Sequence, residues 1–147
     1  MSELDEHFHD ECGVFAIHAP DGSVKVAETT FYGLYALQHR GQEGAGISVW
    51  DDTQKRIVSH RGMSLVSRVF DEAALARLAP GKVGIGHVRY ATHGSSSLEN
   101  VQPVVVKFAR GELALAHNGN LVNGGELIRD LEATGSIFQS GLDTEVF

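Results

Sequence analysis

Gly13-Val14-Phe15-Ala16-Ile17-His18, directly after a lone cysteine at position 12, reads as a strand closed by the turn signal Pro20-Asp21-Gly22. Short apolar runs broken by glycine continue from there. Ala27 to Gln38 puts Phe31, Leu34, Tyr35 and Leu37 near helical spacing, although Gly33 lies inside that run. Ala45 to Trp50 and Arg56 to Arg61 read as two strands joined across Asp51-Asp52-Thr53-Gln54, a hairpin. Asp71 to Leu78 predicts a short helix, capped by Asp71 and stopped before Pro80-Gly81. Strand signals return at Lys82 to Arg89, Val104 to Phe108 and Glu112 to His117, with a polar loop from Thr92 to Ser97 between the first two. Gly124 to Ala133 predicts a helix with Leu127, Ile128 and Leu131 on one face and Gly135 as its stop. Strands interleaved with helices, without a repeat or a dividing linker, imply an α+β layered domain.

The chain has 147 residues, is 42% hydrophobic, and contains 17 glycines and one cysteine. That length suits one core, and the apolar fraction is too high for a disordered chain. No apolar run approaches the length of a membrane span, and the N-terminus lacks the basic start of a secretory signal. A single cysteine cannot form an internal disulfide, which points to the cytosol. The net charge of −7 excludes a strongly basic nucleic-acid binder. Its placement is uneven: residues 1 to 11 hold Glu3, Asp5, Glu6, Asp10 and Glu11 with no Lys or Arg. The remainder is close to neutral, at −2, with 14 acids against 12 bases. Asp143-Thr144-Glu145-Val146-Phe147 reads as a helix cap and first turn with nothing after it. A domain cut short is the expectation.

Cys12 has two readings. It is a small buried hydrophobe, or it is a nucleophile that needs a base. Loss of residues 1 to 11 would supply one, because Cys12 would then carry its own α-amino group. An α-amine titrates near 7.7–8.0 and a thiol near 8.5, close enough for proton exchange at neutral pH. Four polar clusters bear on the choice: Gln38-His39-Arg40-Gly41-Gln42-Glu43-Gly44, Gly86-His87-Val88-Arg89-Tyr90-Ala91-Thr92-His93-Gly94, Ala116-His117-Asn118-Gly119-Asn120-Leu121, and Asp143-Thr144-Glu145. Taken singly, each could be an ordinary turn or cap. The first three sit at strand or helix ends, where loops on a rigid scaffold carry function.

Together with Glu11-Cys12-Gly13-Val14-Phe15 and Glu99-Asn100-Val101-Gln102-Pro103, these clusters resemble the class II, N-terminal-nucleophile glutamine amidotransferases. Within that class they resemble the glutaminase domain of the amidophosphoribosyltransferases, from Cys12 to the end. The resemblance implies an αββα sandwich, residues 1–11 as a propeptide, and residues 12–147 as the first part of the domain. It implies that Cys12 attacks the side-chain amide of glutamine, with Asn118 and the Gly119 N–H holding the oxyanion. Arg89 would bind the α-carboxylate, Asp143 the α-ammonium, and Arg40 with Gly41 would wall the nucleophile. Ammonia would pass to 5-phosphoribosyl pyrophosphate on a phosphoribosyltransferase domain of the same polypeptide, the first step of purine synthesis. That domain would also bring Mg²⁺, in some members an iron–sulfur cluster, and homo-oligomer formation. Residues 12–147 themselves are expected to need no cofactor. One departure stands out: Gly141-Leu142-Asp143 replaces the family's usual hydroxyl-bearing pair before the aspartate.

Three other readings compete. The chain could be an unprocessed or truncated binding module, or another class II amidotransferase such as the glucosamine-6-phosphate synthase type, with which His93-Gly94 is compatible. His7, His9 and Cys12 could instead supply three metal ligands, although a fourth is not evident.

Overall fold

Three glycines decide how closely a helix can approach the central sheet. The computed structural model describes residues 12–78, 80–90 and 97–147. Its sheet has the order β1-β4-β2-β3, from β1 (Gly13–His18), β4 (Gly81–Arg89), β2 (Gly44–Asp51) and β3 (Arg56–Gly62), with every neighbouring pair antiparallel. Helix α1 (Val26–Ala36) lies over β4 and β1. A Cβ at Gly84 would come within 2.6 Å of Val26, and one at Gly86 within 2.8 Å of Leu34. Gly33 of the helix faces Phe15 in the same way, so the glycine that weakens the helix in the sequence is a packing requirement. Thr30, fully buried on α1, satisfies its hydroxyl by donating to the Val26 carbonyl at 2.8 Å.

Strand register sorts side chains onto two faces. Gly86 pairs with both Phe15 and Ile47, and Gly84 with Ile17 and Val49, so these positions share the helix-covered face. Leu34, Ile47, Val49, Val66 and Leu78 form its core, each at most 1% exposed. Full burial of one such side chain contributes about 1.5–3 kcal/mol. Helices α2 (Val66–Val69) and α3 (Glu72–Leu78) close the same layer. The Ala74 N–H donates to the Asp71 carboxylate at 2.7 Å, so Asp71 caps α3 as the sequence implies.

The opposite face presents Ile85, His87 and Arg89 of β4. Against this side lies a strap, residues 100–103, that leaves a 3-10 turn (Leu98–Asn100) and leads into a hairpin of β5 (Val104–Phe108) and β6 (Gly111–Leu115). Glu112 of the hairpin accepts from the Ile57 N–H of β3 at 2.5 Å. Helix α4 (Gly124–Ala133) follows and ends at Gly135, whose φ of +102° favours glycine. The terminal residues Asp143–Val146 form a 3-10 turn packed on α4.

Most expected elements are present within a few residues, and α2 is an addition. Helix α1 stops at Ala36 and hands over to a separate 3-10 turn, Gln38–Arg40. Strand β6 stops at Leu115, two residues short of the expectation. Residues 1–11, expected to be a propeptide, lie wholly outside the described residues, and the expected loop from Thr92 lies largely outside them. Among the described residues no helix is long and apolar enough to cross a membrane.

The strap makes its closest approach at Gly46, where a Cβ would overlap the Gln102 carbonyl oxygen. Gly46→Ala is therefore expected to cost about 1–3 kcal/mol, because main chain must move. Gly141→Ala, which meets nothing within 4 Å, should change stability by no more than about 0.5 kcal/mol. Urea unfolding of both variants checks this, and equal midpoints would contradict the packing account.

Candidate active site

Arg89 ends β4 with its side chain on the strap face and only 5% of the residue exposed. A guanidinium so deeply buried must have its charge answered. Its Nε donates to the Glu43 carboxylate at 3.0 Å, and Nη1 donates to the Asn100 carbonyl at 2.5 Å. The Glu43 N–H donates in turn to the Arg89 carbonyl at 3.0 Å, so the two residues are tied by side chain and main chain. Nη2 has no protein hydrogen bond among the described residues. Arg89 lines a cavity with its guanidinium held on two nitrogens.

Cys12 enters that cavity from the start of β1. Pairing of Gly13 with Val88 brings Cys12 level with the end of β4, and its Sγ lies 4.0 Å from the Tyr90 carbonyl. Its φ is +39°, an uncommon conformation for a residue with a Cβ. Two side chains hold its carbonyl oxygen: Arg40 Nε at 2.9 Å and Asn118 Nδ2 at 3.3 Å. Arg40 reaches it from the 3-10 turn after α1. Gly41 is buried against main-chain atoms of Val88 and Arg89, where a Cβ would come within 2.7 Å. Arg40 thus bonds the cysteine's main chain, and Gly41 allows the turn to sit on β4.

Asn118 and Gly119 follow β6. Gly119 has φ +148°, and its N–H takes no protein partner among the described residues. Asp143 does not cap the terminal turn, as the sequence suggests. Leu142 occupies the cap position without a side-chain bond, and Asp143 Oδ2 instead accepts from the Leu121 N–H at 2.6 Å. Its Oδ1 lies 3.4 Å from His117 Nδ1. The carboxylate is turned inward, onto the loop that carries Asn118 and Gly119. Leu142 supplies no hydroxyl, but Ser140 Oγ accepts from the Leu142 N–H at 3.2 Å and also bonds Glu145. A hydroxyl two residues earlier braces the same loop.

Cys12, Arg89, Gly119 and Asp143 therefore line one cavity of about 310 Å³. Tyr90, Gln102, His117 and Ile128 complete much of its wall; the first three lie in the motifs singled out in the sequence, but none of the four carries an expected role. His87 lines it too, fully buried, with neither ring nitrogen hydrogen-bonded among the described residues. Burial, with a smaller contribution from the charge of Arg89, lowers its pKa to about 4, so the ring is neutral at physiological pH. Among the described residues no three His, Cys, Asp or Glu side chains cluster as metal ligands would. His7 and His9 lie outside them.

A family model described as a glutamine amidotransferase domain matches residues 45–147. The chain belongs to that family. It is 50% identical over 139 residues to amidophosphoribosyltransferase of Bacillus subtilis, covering 94% of this chain and 28% of the relative. The Methanothermobacter thermautotrophicus enzyme of the same name is 49% identical over 137 residues, covering 93% and 28%. A solved structure of glutamine phosphoribosylpyrophosphate amidotransferase from B. subtilis, complexed with ADP and GMP, superimposes with a TM-score of 0.79 at 48% identity. That match covers 90% of this chain and 27% of the other. The glutamine amidotransferase chain thus spans roughly a quarter of the length of these relatives, and its α+β arrangement is that of the N-terminal-nucleophile fold.

The neutral, buried His87 gives this amidotransferase domain an acid-sensitive stability. Its folded pKa is depressed from 6.5 to about 4, so the unfolded chain binds the proton more readily than the folded one. Stability should be flat above about pH 7 and fall as pH drops toward 4, by on the order of 3 kcal/mol from this group. His87→Asn should flatten that part of the profile. Chemical denaturation at about pH 7 and pH 5 measures it, and an unchanged slope in the variant would count against the assignment.

Proposed function

We propose that this chain hydrolyses glutamine to glutamate and ammonia, with Cys12 as nucleophile once residues 1–11 are removed. The observation that supports it best is the convergence on one cavity of a thiol, a half-satisfied guanidinium and an inward-turned carboxylate. A site of about 310 Å³ is at the small end for ligand pockets and suits an amino acid. Arg89 Nη2 receives the α-carboxylate, and Asp143 receives the α-ammonium. Opposite charges fix the two α groups at one end of the substrate and leave its side-chain amide, at the other end, for Cys12.

In the uncleaved chain the nitrogen of Cys12 belongs to a peptide bond and cannot act as a base. Cleavage turns it into an amine with a pKa near that of the adjacent thiol. The amine takes the thiol proton as Sγ bonds to the amide carbon. The Asn118 amide and the Gly119 N–H stabilise the oxyanion, one such donor being worth about 2.7–4 kcal/mol of barrier. Collapse breaks the C–N bond, and the amine returns the proton to the departing ammonia. Water then attacks the thioester, giving glutamate and restoring the thiol.

In the longer protein of which relatives are an example, we assign this unit to a cytosolic amidophosphoribosyltransferase. Its ammonia would convert 5-phosphoribosyl pyrophosphate to 5-phosphoribosylamine on a phosphoribosyltransferase domain that also holds Mg²⁺ and, in some proteins, an iron–sulfur cluster. Homo-oligomer formation would belong to that assembly.

Intact mass should show loss of residues 1–11 from the wild type, while Cys12→Ala keeps them. Glutamate release should accompany the processed form and be absent from the variant. A processed wild type that releases no glutamate would instead support a binding or assembly module.

A further inference from the structure

The motif Glu99-Asn100-Val101-Gln102-Pro103 contributes no group to the reaction above, yet three of its residues contact the sheet and the loop that carry the site. Arg89 Nη1 donates to the Asn100 carbonyl at 2.5 Å, and Arg61 Nη1 donates to the Val101 carbonyl at 2.7 Å. Gly46 lets the Gln102 main chain lie directly on β2. These contacts fix the strap to three strands of the sheet. From this base the Gln102 side chain reaches the far side of the cavity. Its Oε1 accepts from the His117 N–H at 2.7 Å, and its Nε2 donates to the His117 carbonyl at 3.2 Å.

A side-chain amide here pairs with one residue's main chain as a neighbouring strand would. Strand β6 has ended at Leu115, so no strand is available to hold His117. The next two residues are Asn118 and Gly119. Gln102 is 5% exposed, so water does not compete well for either bond. Both halves of the amide are needed, one as acceptor and one as donor.

We propose that Gln102 is a positioning residue for the oxyanion donors: its amide clamps the main chain of His117 and thereby sets Asn118 and Gly119 relative to Cys12. This deepens the glutaminase reading and rests on it. Oxyanion donors act through placement at the transition state, so a loosened loop should lower kcat and leave KM nearly unchanged.

The test uses the processed protein with glutamine as substrate. Gln102→Met fills similar space without either bond, and should lower kcat roughly 10- to 100-fold with KM within about 3-fold. In an Asn118→Ala background the same change should add little, because the donor being positioned is already gone. Gln102→Glu supplies a chemical rescue. Its carboxylate repels the His117 carbonyl, but once protonated it can donate there, so its kcat relative to wild type should rise as pH falls from about 8 to about 5.5. Wild-type kcat in folded Gln102→Met would overturn the inference, as would a loss confined to KM or full additivity with Asn118→Ala. Failure of both Gln102 variants to fold would overturn it too, making the residue one of the fold. A processed wild type without glutaminase activity would bring down the functional reading itself, a separate and recognisable result.

Discussion

The buried guanidinium of Arg89 is the constraint around which this molecule is arranged. A positive charge on the inner face of a sheet is tolerated only if the chain answers it, and Glu43 and the Asn100 carbonyl do so at 3.0 and 2.5 Å. Satisfying it fixes two segments at once. The turn that carries Arg40 and Gly41 is pulled to the end of β4 through Glu43, and the strap is pulled there through Asn100. The start of β1, with Cys12, is placed separately, by pairing with β4 and by the hydrogen bonds of Arg40 and Asn118 to the Cys12 carbonyl. Among the described residues Nη2 of the same fork has no protein hydrogen bond, and the residue lines a small cavity.

The strap relays that placement to the other side of the cavity. Gln102 grips the residue before Asn118-Gly119, and Asn100 Oδ1 accepts from the Gly141 N–H at 3.3 Å, two residues before Asp143. Groups meant for the α-carboxylate and α-ammonium at one end of the amino acid, and for the oxyanion at its side-chain end, are thus tied to a single strap. The geometry is local in space and scattered in sequence.

That scatter decides what could be read without coordinates. The strands and α4 are written in alternation and spacing, and they are present where expected. Helix α1 is legible in spite of Gly33, whose reason is the Phe15 ring packed against it from another element. Helix α2 is a single turn with no periodicity to detect. Cys12, Arg89, Asn118, Gly119 and Asp143 stood out because they lie in polar, glycine-punctuated runs, and the structure brings them together. Glu43 lies in such a run as well, but its partner is 46 residues away and no local pattern reveals the pair. His87 is two residues from Arg89 and so shares its face, yet its burial depends on the strap and hairpin opposite. Asp143 looked like a helix cap because an acid before a helical turn commonly is one. Its real partner is the Leu121 N–H, a contact made only once α4 has folded back.

The most direct measurement is the specificity constant for L-glutamine against that for its α-methyl ester, on the processed protein. If the free nitrogen of Arg89 receives the α-carboxylate, the acid should be preferred by roughly 10- to 100-fold, the worth of a hydrogen bond between charged groups. Equal kcat/KM values for acid and ester would contradict the account at its centre.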